Sequence, residues 1–220
     1  LDILFSESQG KDFFVKHTKV IDEFMKVIFK YILRKYFGNY MPMTSSIPIT
    51  LVALGSYGRE QLCIYSDIDL LVLYKDVNGY NLKPMIQEML TIAWDSGLKL
   101  GHRVHEIDEI CEIASSEITI KTSIIESRMI YGSKYLWFNF ENLLAKIRLT
   151  NQKEFILEKL EEHKIRLQKN PLVMEANIKD GYGGMRESNM LFWMANIIYG
   201  VDRVRLLIGK VFTEEEYKEY

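Results

Sequence analysis

The sequence predicts an α+β fold: a small mixed β-sheet core, preceded by an N-terminal helix and followed by an all-helical domain. Three observations predict it. Two short apolar runs, Ile49–Leu54 and Ile68–Tyr74, have strand length and flank a glycine-rich turn. A third segment, Leu98–Ile107, alternates, with Leu98, Leu100 and Val104 on one face and Lys99, Arg103 and His105 on the other. Beyond Asp108 only helical periodicity continues. The boundaries drawn from this pattern are 1–48 for the N-terminal helix and linker, 49–110 for the sheet core and 111–220 for the helical domain.

The elements follow in order. From Phe13 to Phe37 apolar residues recur at helical spacing, among them Phe14, Val20, Ile21, Phe24, Ile28, Tyr31 and Ile32, and Gly38 supplies the stop. Asn39–Pro48, with two prolines and two serines, reads as a linker. Ile49–Leu54 is continuous in its apolarity, as a strand buried on both faces requires. The turn Gly55-Ser56-Tyr57-Gly58-Arg59 follows, then the second run, which ends at Asp76 and Gly79. Asn81–Trp94 places Leu82, Ile86, Met89, Leu90 and Ala93 on one helix side. Helices are then expected at Ile113–Tyr131, Lys134–Leu149, Lys153–Gln168 and Glu187–Tyr199, separated by Gly132, Asn151, Pro171 and the run Asp180-Gly-Tyr-Gly-Gly184. Trp94, Trp137 and Trp193 read as core residues, and Glu158–Lys169 as a solvated face.

Composition narrows the function classes. In 220 residues, 28 Lys and Arg oppose 30 Asp and Glu, so a chain-wide basic surface for nucleic acid is not expected. At 220 residues folding buries roughly 70% of the unfolded chain's surface, and with 48% hydrophobic residues the apolar surface suffices to exclude disorder as its main state. No apolar stretch approaches the ~20 residues needed to cross a bilayer, so no membrane partner is expected. Cys63 and Cys111 make neither a disulfide framework nor a zinc site, and a cytoplasmic setting is expected. The charged ending Thr213–Tyr220 reads as the edge of a longer chain.

Chemistry concentrates around Asp67 and Asp69. Two carboxylates at i and i+2 share one face of a strand, with Ile68 and Leu70 turned the other way. Adjacent carboxylates repel, and a divalent cation relieves that repulsion. Oxygen ligands of this kind suit Mg²⁺, which keeps its other positions for water and phosphate oxygens. Upstream, Gly55-Ser56 lets a phosphate approach the backbone where a short helix opens. Paired carboxylates, a Gly-Ser turn and apolar strands together suit alignment of a nucleoside triphosphate for attack at phosphorus.

Gly55-Ser56, followed twelve positions after Gly55 by Asp67-Ile-Asp69, resembles the polymerase-β-type nucleotidyltransferase signature. The longer string from Gly55 through Leu71 is similar to one branch of that superfamily, the PII uridylyltransferase/uridylyl-removing enzymes. Asn177-Ile-Lys-Asp-Gly-Tyr-Gly-Gly-Met-Arg186-Glu and Trp94-Asp95-Ser-Gly97-Leu-Lys-Leu-Gly101-His102 carry the same resemblance. It implies Mg²⁺ at Asp67 and Asp69, which are also the catalytic residues, and nucleotide binding by Gly55, Ser56, Arg59 and Ser66. It implies transfer of UMP from UTP to a tyrosine hydroxyl of the PII nitrogen-regulatory protein. The removing activity is expected outside these residues, which contain no His-Asp doublet. Two alternatives stay open: a nucleotidyltransferase with another acceptor, and a silent nucleotide-binding regulatory domain.

Three further features have two readings. Arg59 grips phosphate or pairs with an acid. Lys179 and Arg186 close a loop on nucleotide or protein, or flank a connecting turn. Superfamily members commonly use a third carboxylate from a later strand, but Glu106 shares a face with Leu100 and Val104 and leaves that ligand unassigned.

Overall fold

The computed structural model describes residues 6, 8, 10–40, 42–170, 177–201 and 207–219. Pro171, expected as a helix separator, lies outside them. The described residues are of mixed α+β class, with one four-stranded sheet and helices before and after it. The chain forms two compact units, one of residues 1–112 with 126–142 and one of residues 113–125 with 143–220.

The first unit begins with α1 (Lys11–Phe37), ended by Gly38 at φ 57°. After a 3₁₀ turn at Thr44–Ser46 come β1 (Ile49–Ala53), the four-residue α2 (Gly55–Gly58), β2 (Ile68–Tyr74), α3 (Leu82–Asp95) and β3 (Leu100–Glu106). A second 3₁₀ turn, Ile107–Glu109, leads to α4 (Ile110–Ser116) and α5 (Ile118–Ile125). The expectation that strands end at Asp108 is corrected here: Arg128–Gly132 forms a fourth strand, β4, within the stretch read as one helix. Its pattern, Arg-Met-Ile-Tyr-Gly, is too short for a sequence signal, and pairing with β1 decides its state.

The sheet order is β3-β2-β1-β4. β1 runs antiparallel to β2 and β4, and β2 parallel to β3 through the α3 crossover. Both central strands are buried on both faces, except at Asp69 and Tyr74. One face, with Leu51, Ala53, Leu70 and Val72, joins Met25, Phe29 and Ile32 of α1 and Met85, Ile86 and Met89 of α3 in a single core. Each buried aliphatic side chain there stabilises the fold by about 1.5–3 kcal/mol. The buried stripe of α1 is not the one its apolar periodicity suggests. His17, Thr18 and Asp22 are buried, whereas Val20 and Tyr31 are more than half exposed. Trp94, expected in the core, is 44% exposed.

The second unit takes in α5, the end of α6 (Lys134–Leu149), α7 (Gln152–Lys169), α8 (Met185–Tyr199) and α9 (Glu214–Glu219). Ile125, Phe155 and Ile197 pack together in it. The face of α7 read as solvated is in part interior. Lys159 is buried, with its ammonium 5.2 Å from the Trp193 ring and 2.6 Å from Glu162 Oε2. Burial raises the Glu162 carboxyl, but the Lys159 hydrogen bond and charge outweigh it and hold Glu162 below the usual carboxylate range. Among the described residues no helix is long and apolar enough to cross a membrane.

Candidate active site

Asp67 directly precedes β2 and Asp69 is its second residue, and both are exposed. The pleat turns both away from Ile68 and Leu70, which face the core. Leu54 N donates to Asp69 O (2.9 Å), which places the end of β1 and the start of α2 beside the second carboxylate. Gly55, at φ 55°, and Gly101 of β3 flank that carboxylate. A Cβ on Gly101 would lie 3.0 Å from Asp69 Oδ1, and one on Gly55 3.2 Å from Oδ2. The two glycines therefore leave the Asp69 oxygens room that any other residue would take. Ser66 closes a tight turn just before Asp67, its amide donating to Cys63 O (3.1 Å).

The Gly55–Leu62 turn is braced from far along the chain by buried polar groups. His17 Nδ1 donates to Leu62 O (3.0 Å), and Leu62 N donates to Thr18 Oγ1 (3.4 Å). Arg128 of β4 forms a two-pronged pair with Asp22 of α1 (2.8 and 3.1 Å), donates to Tyr57 O and lies over the Tyr57 ring. Burial, reinforced by the Asp22 charge, pushes the Tyr57 phenol above its usual range. Arg59 Nη1 donates to Glu126 Oε1 (2.5 Å), and its Nε donates to Gln61 Oε1 (3.2 Å). Gly58 completes the lock: a Cβ there would sit 2.0 Å from the Glu126 carbonyl oxygen.

The structure thus brings Gly55, Ser56, Ser66, Asp67 and Asp69 to one end of the sheet, with Arg59 paired to an acid. Lys179 and Arg186 sit in the second unit, on a turn closed by its own chain. Asn177 Oδ1 accepts from the amides of Lys179 and Asp180, and Arg186 N donates to Lys179 O (3.1 Å). The Arg186 guanidinium pairs with Asp180 (2.9 Å). Glu106 lies opposite Tyr74, five register positions from the Asp69–Gly101 pair, where it accepts from Asp76 N. Sequence reasoning missed His17, Thr18, Asp22, Glu126 and Arg128. The available signal was Thr18, Asp22 and Met25 at helical spacing, a polar pair on the stripe that becomes buried.

The donor chemistry fits Mg²⁺. Two exposed carboxylates offer hard oxygen ligands, and the glycines beside Asp69 keep its oxygens accessible. Among the described residues no group of three or more His, Cys, Asp or Glu side chains converges to hold a metal. An ion held by this pair would leave its remaining positions to water and phosphate oxygens.

Residues 154–220 match the family model for the GlnD PII-uridylyltransferase. The chain is 36% identical over 171 residues to a bifunctional uridylyltransferase/uridylyl-removing enzyme of Azospirillum brasilense, covering 76% of this chain and 18% of that one. A second relative with the same description, from Novosphingobium aromaticivorans, is 31% identical over 212 residues, covering 91% of this chain and 22% of its own. The chain is related in sequence to the PII-uridylyltransferases. The resemblance is to their nucleotidyltransferase portion. A third relative so described, from Pseudomonas fluorescens, is 36% identical over 76% of this chain and 19% of its own. The chain spans about a fifth of the length of these curated relatives. A solved structure titled "Crystal structure of the toxin-antitoxin with AMP-PNP" aligns at a TM-score of 0.32 and 16% identity over 63% of this chain and 93% of that one, too low to carry an argument.

Proposed function

We propose that this chain is a Mg²⁺-dependent nucleotidyltransferase that moves UMP from UTP to a tyrosine hydroxyl of a PII-type protein. The observation that carries the reading is the exposed pair Asp67 and Asp69 on one face at the start of β2, with Asp69 set between Gly55 and Gly101. The kinship with uridylyltransferases supports the choice of UTP and of a PII-type acceptor.

Asp67 and Asp69 hold the metal. When bound, Mg²⁺ neutralises triphosphate charge and polarises the phosphorus under attack. The Gly55-Ser56 turn and Ser66 border the triphosphate, and the backbone approach at Gly55 admits it without a side chain in the way. Arg59, anchored to Glu126, holds the turn in register. The acceptor oxygen bonds to the α-phosphorus as the bond to the β-phosphate bridging oxygen breaks. Pyrophosphate leaves, and the hydroxyl proton passes to a neighbouring carboxylate or water.

The test is labelling of purified PII from UTP carrying radioactive α-phosphate. Asp67→Asn combined with Asp69→Asn lowers labelling by about 10³-fold or more, on the scale of removing a metal that stabilises the transition state. Unchanged labelling by the double variant sinks the reading.

A second reading, a nucleotide-binding domain without turnover, draws on β3. The positions beside and beyond Asp69 on the carboxylate face are Gly101 and Arg103, neither of them an acid. Tight binding of Mg²⁺ and UTP by calorimetry, with no label transferred to PII, selects it.

A further inference from the structure

β3 is an edge strand. Ile68 N donates to Lys99 O (2.7 Å), so the odd-numbered residues of β3 turn their backbone groups toward β2. The even-numbered residues turn theirs outward. Trp94 Nε1 already satisfies Leu100 O (3.3 Å), and the outward amides and carbonyls of His102 and Val104 follow it. The sheet order places no strand beyond β3 among the described residues, and Gly101, His102 and Arg103 are all exposed.

Two further features lie along this edge. On one face a groove of about 480 Å³ runs between α3 and β3, lined by Ile86, Leu90, Trp94, His102 and Val104 among others. On the other face Gly101 stands level with Asp69 and puts no side chain between the edge and the carboxylate. A strand added to β3 therefore places alternate side chains in the groove and on the carboxylate face. An added strand lies about 9.6 Å from β2, two strand spacings away. A long side chain ending in a hydroxyl covers part of that distance over Gly101, and the Asp69 side chain with the phosphate it would hold closes the rest. Lys99, Arg103 and Lys83 flank the edge, with Asp95 at its near end and Glu106 at its far end. The basic groups favour a neutral or acidic segment.

We infer that β3 captures the acceptor protein by strand addition: an extended, neutral-to-acidic segment pairs with His102 and Val104, fills the α3–β3 groove with alternate side chains and delivers its hydroxyl over Gly101 to Asp67 and Asp69. Main-chain bonds supply affinity and the groove supplies selectivity. The inference rests on the transferase reading for its occupant, a PII-type protein.

The experiment uses the whole chain with Mg²⁺, UTP and purified PII. His102→Pro deletes an outward N–H while sparing the bonds to β2. It raises the KM for PII by about tenfold, the scale of one interfacial hydrogen bond in a constrained pairing, and leaves UTP affinity within about twofold. His102→Ala, which keeps the N–H, stays within about threefold of the original KM. In the unaltered chain, PII and a non-hydrolysable UTP analogue slow amide exchange at His102 and Val104. An unchanged KM in His102→Pro together with unchanged exchange overturns the inference while PII labelling upholds the transferase. Slowed exchange without labelling upholds the edge and removes the transferase reading. Neither labelling nor slowed exchange overturns both.

Discussion

Two glycine-rich turns of this chain look alike in sequence and are built in opposite ways. Gly55–Leu62 in the first unit is held by Thr18 and His17, 44 and 45 positions away, by Glu126 and Arg128, 67 and 71 positions away, and by Asp22 through its pair with Arg128. Asn177–Gly184 in the second unit closes on itself, through Asn177 Oδ1, Gly181 N on Asn177 O and Gly184 N on Gly181 O. The first turn places carboxylates beside backbone with tertiary support. The second is closed chiefly by its own short segment, with Arg166 and Asn170 of the neighbouring helix end beside Asp180 and Asn177. A turn braced by buried, distant polar partners is rigid at the cost of those partners, whereas a self-closed turn joins helices wherever two must meet. On the proposed reading this contrast separates a reaction site from a connector, although glycine and charge occur in both.

Substitutions can break or sharpen that contrast. Asp22→Ala removes the carboxylate paired with part-buried Arg128, whose side chain is 25% exposed, and destabilises the fold by about 2–3 kcal/mol. Denaturant midpoints measure it, and a change below about 0.5 kcal/mol would show that the brace is ornamental. Gly101→Ala sets a Cβ 3.0 Å from Asp69 Oδ1 at ordinary backbone φ. The fold shifts by less than about 1 kcal/mol, but the Mg²⁺ concentration for half-maximal labelling rises about tenfold. An unaltered Mg²⁺ requirement would detach Asp69 from the metal. Asn177→Ala strips two amides of their acceptor, in an exposed turn that water reaches, for about 1 kcal/mol of local stability. Labelling of PII by this variant stays within about twofold. A larger loss would draw the second turn into the reaction.

Much of the fold was legible along the chain. β2 and α6 match their expected bounds, because an apolar run between turn residues and a long 3.6-residue repeat are strong local signals. Asp67 and Asp69 were legible for the same reason: period-2 geometry alone puts them on one face. The buried side of α1 was not. That helix carries apolar residues nearly all round, so only the sheet it meets selects Met25, Phe29 and Ile32 over Val20 and Tyr31. β4 was hidden inside a helical reading because five residues carry no decisive period, and its partner β1 lies some eighty positions earlier.

By itself, the sequence determined the class of the fold, the order of its elements from the first helix to β3, and the two carboxylates with the turn before them, since each depends on neighbours within a few residues. Only the tertiary structure decided what holds the turn, that Arg59 pairs with Glu126, that Gly101 stands beside Asp69, and that β3 is the open edge. Those depend on contacts between residues tens of positions apart. No local period records such contacts, because they form only when strands and helices are packed against one another.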